Sequence, residues 1–158
     1  MTNKLHPLQQ ISFTHANQAY VVEASAGTGK TWTIERLFIK ALLEATQPND
    51  LHIPLAIENI LVVTFTNDAT DELKQRISEQ IQTTINQIIY LNNQFEQEQI
   101  PATNQDIFLE YLLARQTNSA VNLLKKLFLR ELILLTRALQ NLDQAAIYTV
   151  HGFCNRIW

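Results

Sequence analysis

Cysteine is nearly missing from this chain: Cys154 stands alone among 158 residues, which excludes an internal disulfide and fits a reducing compartment. A strong excess of either charge is also missing, with 12 Lys and Arg against 15 Asp and Glu. A formal net charge of −3 gives no bulk attraction to nucleic acid or to an anionic membrane, so any nucleic-acid contact must be local rather than a basic coat. No window approaches the ~18 apolar residues of a membrane span. The opening Met1-Thr2-Asn3-Lys4-Leu5-His6-Pro7 lacks the apolar stretch of a signal peptide, so a cytoplasmic location is expected. Glycine is the scarcest useful signal: there are three, and two of them, Gly27 and Gly29, fall within nine residues of one another and of a lysine–threonine pair.

That segment reads Ala24-Ser25-Ala26-Gly27-Thr28-Gly29-Lys30-Thr31. It fits the phosphate-binding P-loop pattern everywhere but the first position, where Ala24 replaces Gly. A polyphosphate is wrapped by bare backbone N–H groups, and glycine permits close approach and positive φ. Lys30 would bring a cation to the β/γ-phosphates of ATP, the Thr31 hydroxyl would ligate Mg²⁺, and a helix starting there would aim its positive end at the anion. Trp32 has two readings, stacking on the adenine or packing against the sheet. Gln9, Gln10 and Gln18 are the candidates for reading the adenine edge.

The hydrophobic content of 46% supports one domain with a real core. Three short apolar runs, residues 19–24, 59–66 and 145–150, read as buried parallel strands, each leading into a helical pattern. The first helix, over 30–45, places Ile34, Leu37, Phe38, Ala41 and Leu42 on one face. The second starts at Asn67 or Asp68, either of which could cap it, and repeats Ala69, Leu73, Ile77, Ile81, Ile85 and Ile88 at three- or four-residue spacing. Two more are expected over 105–115 and 119–141, the latter striped with Val121, Leu124, Leu127, Phe128, Leu132, Leu135 and Leu139. A strand–helix–strand crossover needs only a dozen connecting residues, so the helical stretch between the second and third strands reads as an insertion. The expected division is 1–74 as the first part of a P-loop domain, 75–142 as a helical subdomain, and 143–158 as the return to the P-loop domain. The fold class is therefore α/β: a partial P-loop NTPase (RecA-like) parallel sheet with an inserted all-helical subdomain.

Two further segments stand at strand ends. Thr64-Phe65-Thr66-Asn67 follows the second strand and Thr149-Val150-His151-Gly152-Phe153-Cys154 the third. In a parallel α/β sheet, ligands sit outside the carboxyl ends of the strands. Hydroxyls and helix N-termini suit backbone phosphates, and an aromatic ring suits a base. The bland readings are that Phe65 seals the core under the second helix and that Thr66 and Asn67 only cap it. His151 is read as a donor to a DNA phosphate; with Cys154 it lacks the further ligands of a metal site and the acid of a catalytic dyad. Arg36 and Arg76 read as surface or ion-pair residues.

In this order, the three segments resemble the first motifs of the UvrD/Rep-like superfamily 1 DNA helicases, nearest to the RecB-type helicase–nucleases of exodeoxyribonuclease V. Glu23 to Ile34 is similar to motif I, Leu61 to Asn67 with Ala69, Glu72, Leu73, Arg76 and Ile77 to motif Ia, and Ala145 to Cys154 to the next DNA-contacting segment. The Gly152 position separates the RecB type from relatives that carry serine there, and the AddA type is the nearest confusable family. The resemblance implies an ATP- and Mg²⁺-dependent DNA helicase and exonuclease acting in double-strand-break repair and recombination. It implies single-stranded and duplex-end DNA as substrates, and RecC- and RecD-like partner subunits. It places Ala24 to Trp32 on the nucleotide, and Thr64, Phe65, Thr66, Asn67, Thr149, His151, Gly152 and Phe153 on DNA.

The chain holds no Asp-Glu pair after an apolar strand, so Mg²⁺ lacks its usual carboxylates and water its general base. It also holds no arginine finger and no nuclease acidic cluster. It reads as the opening portion of a longer motor protein, without a complete catalytic set and with negligible ATP hydrolysis expected on its own. The rivals are a small-molecule kinase sharing the loop and a non-catalytic nucleotide-binding module.

Overall fold

The computed structural model describes residues 6–13, 19–23, 27, 29–44, 55–97, 106–117 and 121–157. In chain order the elements are α1 (Pro7–Gln10), α2 (Lys30–Glu44), β1 (Val62–Thr64), α3 (Asn67–Glu96), α4 (Ile107–Thr117), α5 (Val121–Gln140), β2 (Ile147–Thr149) and α6 (Val150–Ile157), with 3₁₀ turns at Ile57–Asn59 and Leu142–Gln144.

Helix α3 dominates. No glycine or proline interrupts its 30 residues, and at about 1.5 Å per residue it runs roughly 45 Å. Its isoleucines are only moderate helix formers, so burial of one stripe carries it rather than propensity. Leu73, Ile77, Ile81, Ile85, Ile88 and Leu91 form that stripe, while Ala69, expected on the same face, is exposed. The cap is Thr66, not Asn67 or Asp68: its side-chain oxygen accepts the Ala69 N–H at 3.1 Å from an extended backbone. Asn67 and Asp68 are already inside the helix, where Asp68 favours the positive end. Helix α4 opens on the same chemistry, with Asp106 Oδ1 accepting the N–H groups of Phe108 and Leu109 at 2.9 and 3.2 Å.

Helix α2 departs from its expected single face. Ile34 is 42% exposed, whereas Ile39 and Leu43 are fully buried. The reason is that α2 packs against α1, α3 and α5 together, so every residue from Phe38 to Glu44 is buried and no one-sided stripe survives. Two of those seven carry charge. Lys40 Nζ donates to the Leu8 carbonyl at 2.6 Å and pairs with Glu44 at 3.1 Å, and Glu44 accepts from Ser12 Oγ and the Phe13 N–H. A second buried pair joins α4 to α5: Arg115 donates from Nε and Nη2 to Glu131 Oε1 at 3.1 and 2.9 Å, and from Nη2 to the Leu43 carbonyl at 2.8 Å. That last bond ties α4 to the backbone at the far end of α2. Burial pushes the neighbouring Tyr111 phenol up.

The sheet is parallel, as expected, but among the described residues it has two strands rather than three. β1 pairs with β2 in the register Val62↔Ile147, Val63↔Tyr148 and Thr64↔Thr149. Residues 19–23 form no strand; Tyr20, Val21 and Val22 are 42%, 88% and 42% exposed. An apolar run becomes a strand when a neighbour takes its N–H and C=O groups, and neither β1 nor β2 does so here. Ala24 lies outside the described residues. Both strands are also shorter than the apolar runs, because Ile57–Asn59 turns as a 3₁₀ helix and Val150 already begins α6. One apolar cluster runs through α1, α2, α3, α4, α5 and β2, from Leu8 through Phe38, Ile77 and Phe108 to Leu135 and Ile147.

Candidate functional site

Gly27 and Gly29 carry φ of +78° and +83°. This is the left-handed region that L side chains rarely adopt, although a Cβ at Gly27 would meet no atom within 4 Å. Backbone conformation, not space, is what requires glycine here. The Gly29 carbonyl accepts the first helical bond, from the Thr33 N–H at 2.9 Å, and α2 begins at an exposed Lys30 with Thr31 half-buried behind it. Ala24, Ser25, Ala26 and Thr28 lie outside the described residues. Trp32 packs inward: the Arg36 guanidinium lies 3.9 Å from its ring centroid, and His6 meets it edge-on at 5.4 Å. Arg36 thereby covers one face of the indole, and the ring joins the edge of the apolar cluster. Burial holds His6 below its ordinary value and lowers Arg36 as well.

The register Thr64↔Thr149 brings the second and third segments side by side at the same end of the sheet. Phe65, one residue past β1, is 94% exposed and seals nothing. Around it, hydroxyls fold the turn on itself. Thr64 Oγ1 lies 2.5 Å from Thr70 Oγ1, and both reach the Thr66 carbonyl, at 3.1 and 3.0 Å. Beside it the same device repeats: Thr149 Oγ1 accepts the Gly152 N–H at 3.0 Å at the start of α6. A Cβ on Gly152 would lie 3.1 Å from that oxygen, tight enough that the cap would have to give. Two helix N-termini thus open next to each other, each capped by a threonine, with an exposed phenyl ring on the turn of the first. His151 and Gly152 are exposed and Phe153 is half-buried. Arg156 donates to the Tyr148 hydroxyl at 2.7 Å and lies 5.1 Å from its ring, which stiffens α6 against β2. Asn67 is exposed in the first turn of α3.

The phosphate-loop segment is related to these two through helices rather than through the sheet, since α2 packs along α3. At that contact the sequence reading missed a charged group. Glu35, read as no more than part of the loop-borne helix, is buried between Arg36 and Arg76 at 3.5 Å each. Burial raises its carboxyl above the usual range, against the opposing pull of Arg36 and Arg76. The available signal was its place next to Arg36, five residues past Lys30 on the helix that the loop opens. Arg36 and Arg76 are ion-pair residues, as read. A cleft of about 310 Å³ between the Ile57–Asn59 turn and α5 is lined by Leu42, Ile57, Glu58, Leu134 and Arg137. None of the loop or strand-end residues lines it, so the site is defined by its backbone geometry rather than by that concavity.

Comparison with known proteins matches the order of these segments. The profile of the UvrD/REP helicase N-terminal domain matches residues 5–158. The chain is 41% identical over 151 residues to the RecBCD enzyme subunit RecB of Haemophilus influenzae, covering 96% of this chain and 11% of that protein. It is 35% identical over 137 residues to the RecB subunit of Chlamydia pneumoniae and 34% identical over 137 residues to that of Escherichia coli, covering 86% and 87% of this chain and 10% of each relative. The chain therefore spans about a tenth of the length of these curated relatives. With the glycine loop opening α2 and two capped helices opening at adjacent strand ends, the chain belongs to the UvrD/REP helicase N-terminal domain family.

Proposed function

We propose that this chain is the ATP-binding opening portion of a RecB-like ATP-dependent DNA helicase and exonuclease subunit acting in double-strand-break repair and recombination. The observation that supports it most directly is the pair of threonine-capped helix N-termini at neighbouring strand ends, beside an exposed Phe65. Helix N-termini and hydroxyls suit the phosphates of a single strand, and a free ring suits its bases. Thr64, Phe65, Thr66, Asn67, Thr149, His151, Gly152 and Phe153 are the DNA-facing set in this reading. A capping hydroxyl accepts one bond and keeps its own proton to give, so Thr66 and Thr149 can cap and contact a phosphate together.

ATP would lie on the loop from Ala24 to Thr31, its phosphates facing the N–H groups of Gly27 to Lys30 and the Lys30 ammonium. Mg²⁺ would be held by the Thr31 hydroxyl and phosphate oxygens. The donor set fits one such ligand only, because the one adjacent Asp-Glu pair, Asp71-Glu72, lies inside α3 rather than at a strand end. Trp32, pinned by Arg36, serves by anchoring the loop-borne helix. The metal would supply charge neutralisation on the phosphates; what these residues do is bind and orient. Without a carboxylate to position water, the chain by itself turns ATP over negligibly.

The divisions 1–74, 75–142 and 143–158 are proposed as a division of roles built on one apolar cluster: nucleotide and DNA contact at the ends, and between them a helical support that reaches duplex DNA or a partner. RecC- and RecD-like subunits and a cytoplasmic setting belong to the same proposal. No described helix is long and apolar enough to cross a membrane. Lys30→Ala tests the reading: ATP binding measured by fluorescence titration is expected to vanish while the circular dichroism spectrum stays unchanged. Unchanged ATP affinity would overturn the loop assignment.

A further inference from the structure

Helices α2 and α3 each begin at a segment assigned above to a ligand, α2 at the glycine loop and α3 at the Phe65 turn. They pack along one another through apolar side chains that need no charge between them, yet a carboxylate is buried there. The Glu35 side chain is 8% exposed, with Oε2 3.5 Å from Arg36 Nη1 on its own helix and Oε1 3.5 Å from Arg76 Nη1 on α3. At that separation the contact of Glu35 Oε1 with Arg76 is an ion pair longer than a well-formed hydrogen bond. Arg76 is held in turn by Glu72, one turn nearer the Phe65 end, through Nε at 2.8 Å. A buried carboxylate held only at the long edge of contact by two guanidiniums adds little to stability, so its presence calls for a role other than cohesion.

We infer that Glu35 and Arg76 are a positioning pair, setting the Phe65 end of α3 against the loop end of α2 so that nucleotide and single-stranded DNA bias one another's affinity. The inference rests on the function proposed above. Charge-assisted N–H···O⁻ bonds are about 2.7–2.9 Å long, so a relative shift of about 0.7 Å between the helices would close this contact or open it. Both ligands sit at the near ends of the two helices that carry the pair. A contact made better in one arrangement than in the other, and biased from both ends, is what couples two sites, and the coupling is reciprocal. Arg76 is nearly half exposed, so its replacement leaves the packed core intact.

The test uses the intact enzyme that carries this chain, a non-hydrolysable ATP analogue and oligothymidylate. The readout is the ratio of analogue affinity with the oligonucleotide to that without it. In the wild type this ratio is expected within the range of about 5- to 150-fold. Arg76→Met and Glu35→Gln should each bring it down by about 5-fold or more, the double variant should fall no further, and Arg76→Lys should keep most of it. A wild-type ratio that survives in both single variants overturns the inference. So does an equal loss of analogue affinity with and without DNA, which is what a merely structural contact would produce. A wild type that binds the analogue with no DNA dependence removes the coupling, whereas one that binds no analogue at all overturns the functional reading beneath it.

Discussion

The helical side of this molecule and its strand-end side are built to opposite rules. Between α3, α4 and α5, the side chains of Ile77, Ile81, Ile88, Leu91, Phe108, Leu112 and Leu135 are wholly removed from solvent. Even the charges there, Arg115 and Glu131, are buried and paired. At the strand ends, Leu61, Val63, Phe65, Val150 and Ile157 keep between 42% and 94% of their surface exposed. The hydrogen bonds there close threonine-capped turns instead of tying helices together. Burial makes one side stable. Exposure of rings, N–H groups and hydroxyls on a backbone held still by caps suits the other side to the DNA contact proposed above.

Substitutions on the two sides should separate stability from binding. The largest effect is expected from Glu131→Ala, which leaves the Arg115 guanidinium buried with its carboxylate gone. Breaking a buried pair in this way typically costs about 3–5 kcal/mol, read as the loss of unfolding free energy in urea titration. A change below about 1 kcal/mol would mean that the pair is not the brace between α4 and α5.

Phe65→Ala should invert that pattern. A 94% exposed ring holds nothing together, so unfolding should move by no more than about 0.5 kcal/mol. Single-strand affinity in the intact enzyme should weaken by about 1–3 kcal/mol, with ATP affinity in the absence of DNA unchanged. Equal single-strand affinity for variant and wild type would end the stacking assignment.

Thr66→Ala is the smallest and the most mixed, since this hydroxyl caps α3 and belongs to the proposed DNA-facing set. It should remove about 1 kcal/mol of stability. Its effect on DNA binding should be a loss of single-strand affinity of similar size at every salt concentration, because a neutral hydroxyl releases no counterion. A stability loss with unchanged single-strand affinity would make Thr66 a cap and nothing more.

How far each feature could be foreseen follows from the range of the interaction behind it. The stripe from Leu73 to Ile88 was legible because helix periodicity is local and no glycine or proline interrupts it. The loop was legible because glycine is otherwise so rare that its placement marks a backbone requirement, later seen as positive φ at Gly27 and Gly29. The cap was left open among Thr66, Asn67 and Asp68, because threonine, asparagine and aspartate all suit that position and only the backbone at Thr66 decides among them. The strand expected at 19–24 could not be decided locally at all: the same apolar run is a strand with a neighbour and an exposed segment without one.

Chemistry that acts within a few residues was therefore settled by the order of amino acids alone: the glycine loop, the long amphipathic helix, the threonine and aromatic residues at strand ends, and through them the family. Only the tertiary structure decided that α2 is buried all round at its far end, that Arg115 reaches both Glu131 and the end of α2, that Phe65 faces solvent, and that Glu35 stands opposite Arg76. Each of these joins residues far apart in the chain. Burial, ion pairing and exposure depend on which surfaces meet, and no local pattern of side chains carries that information.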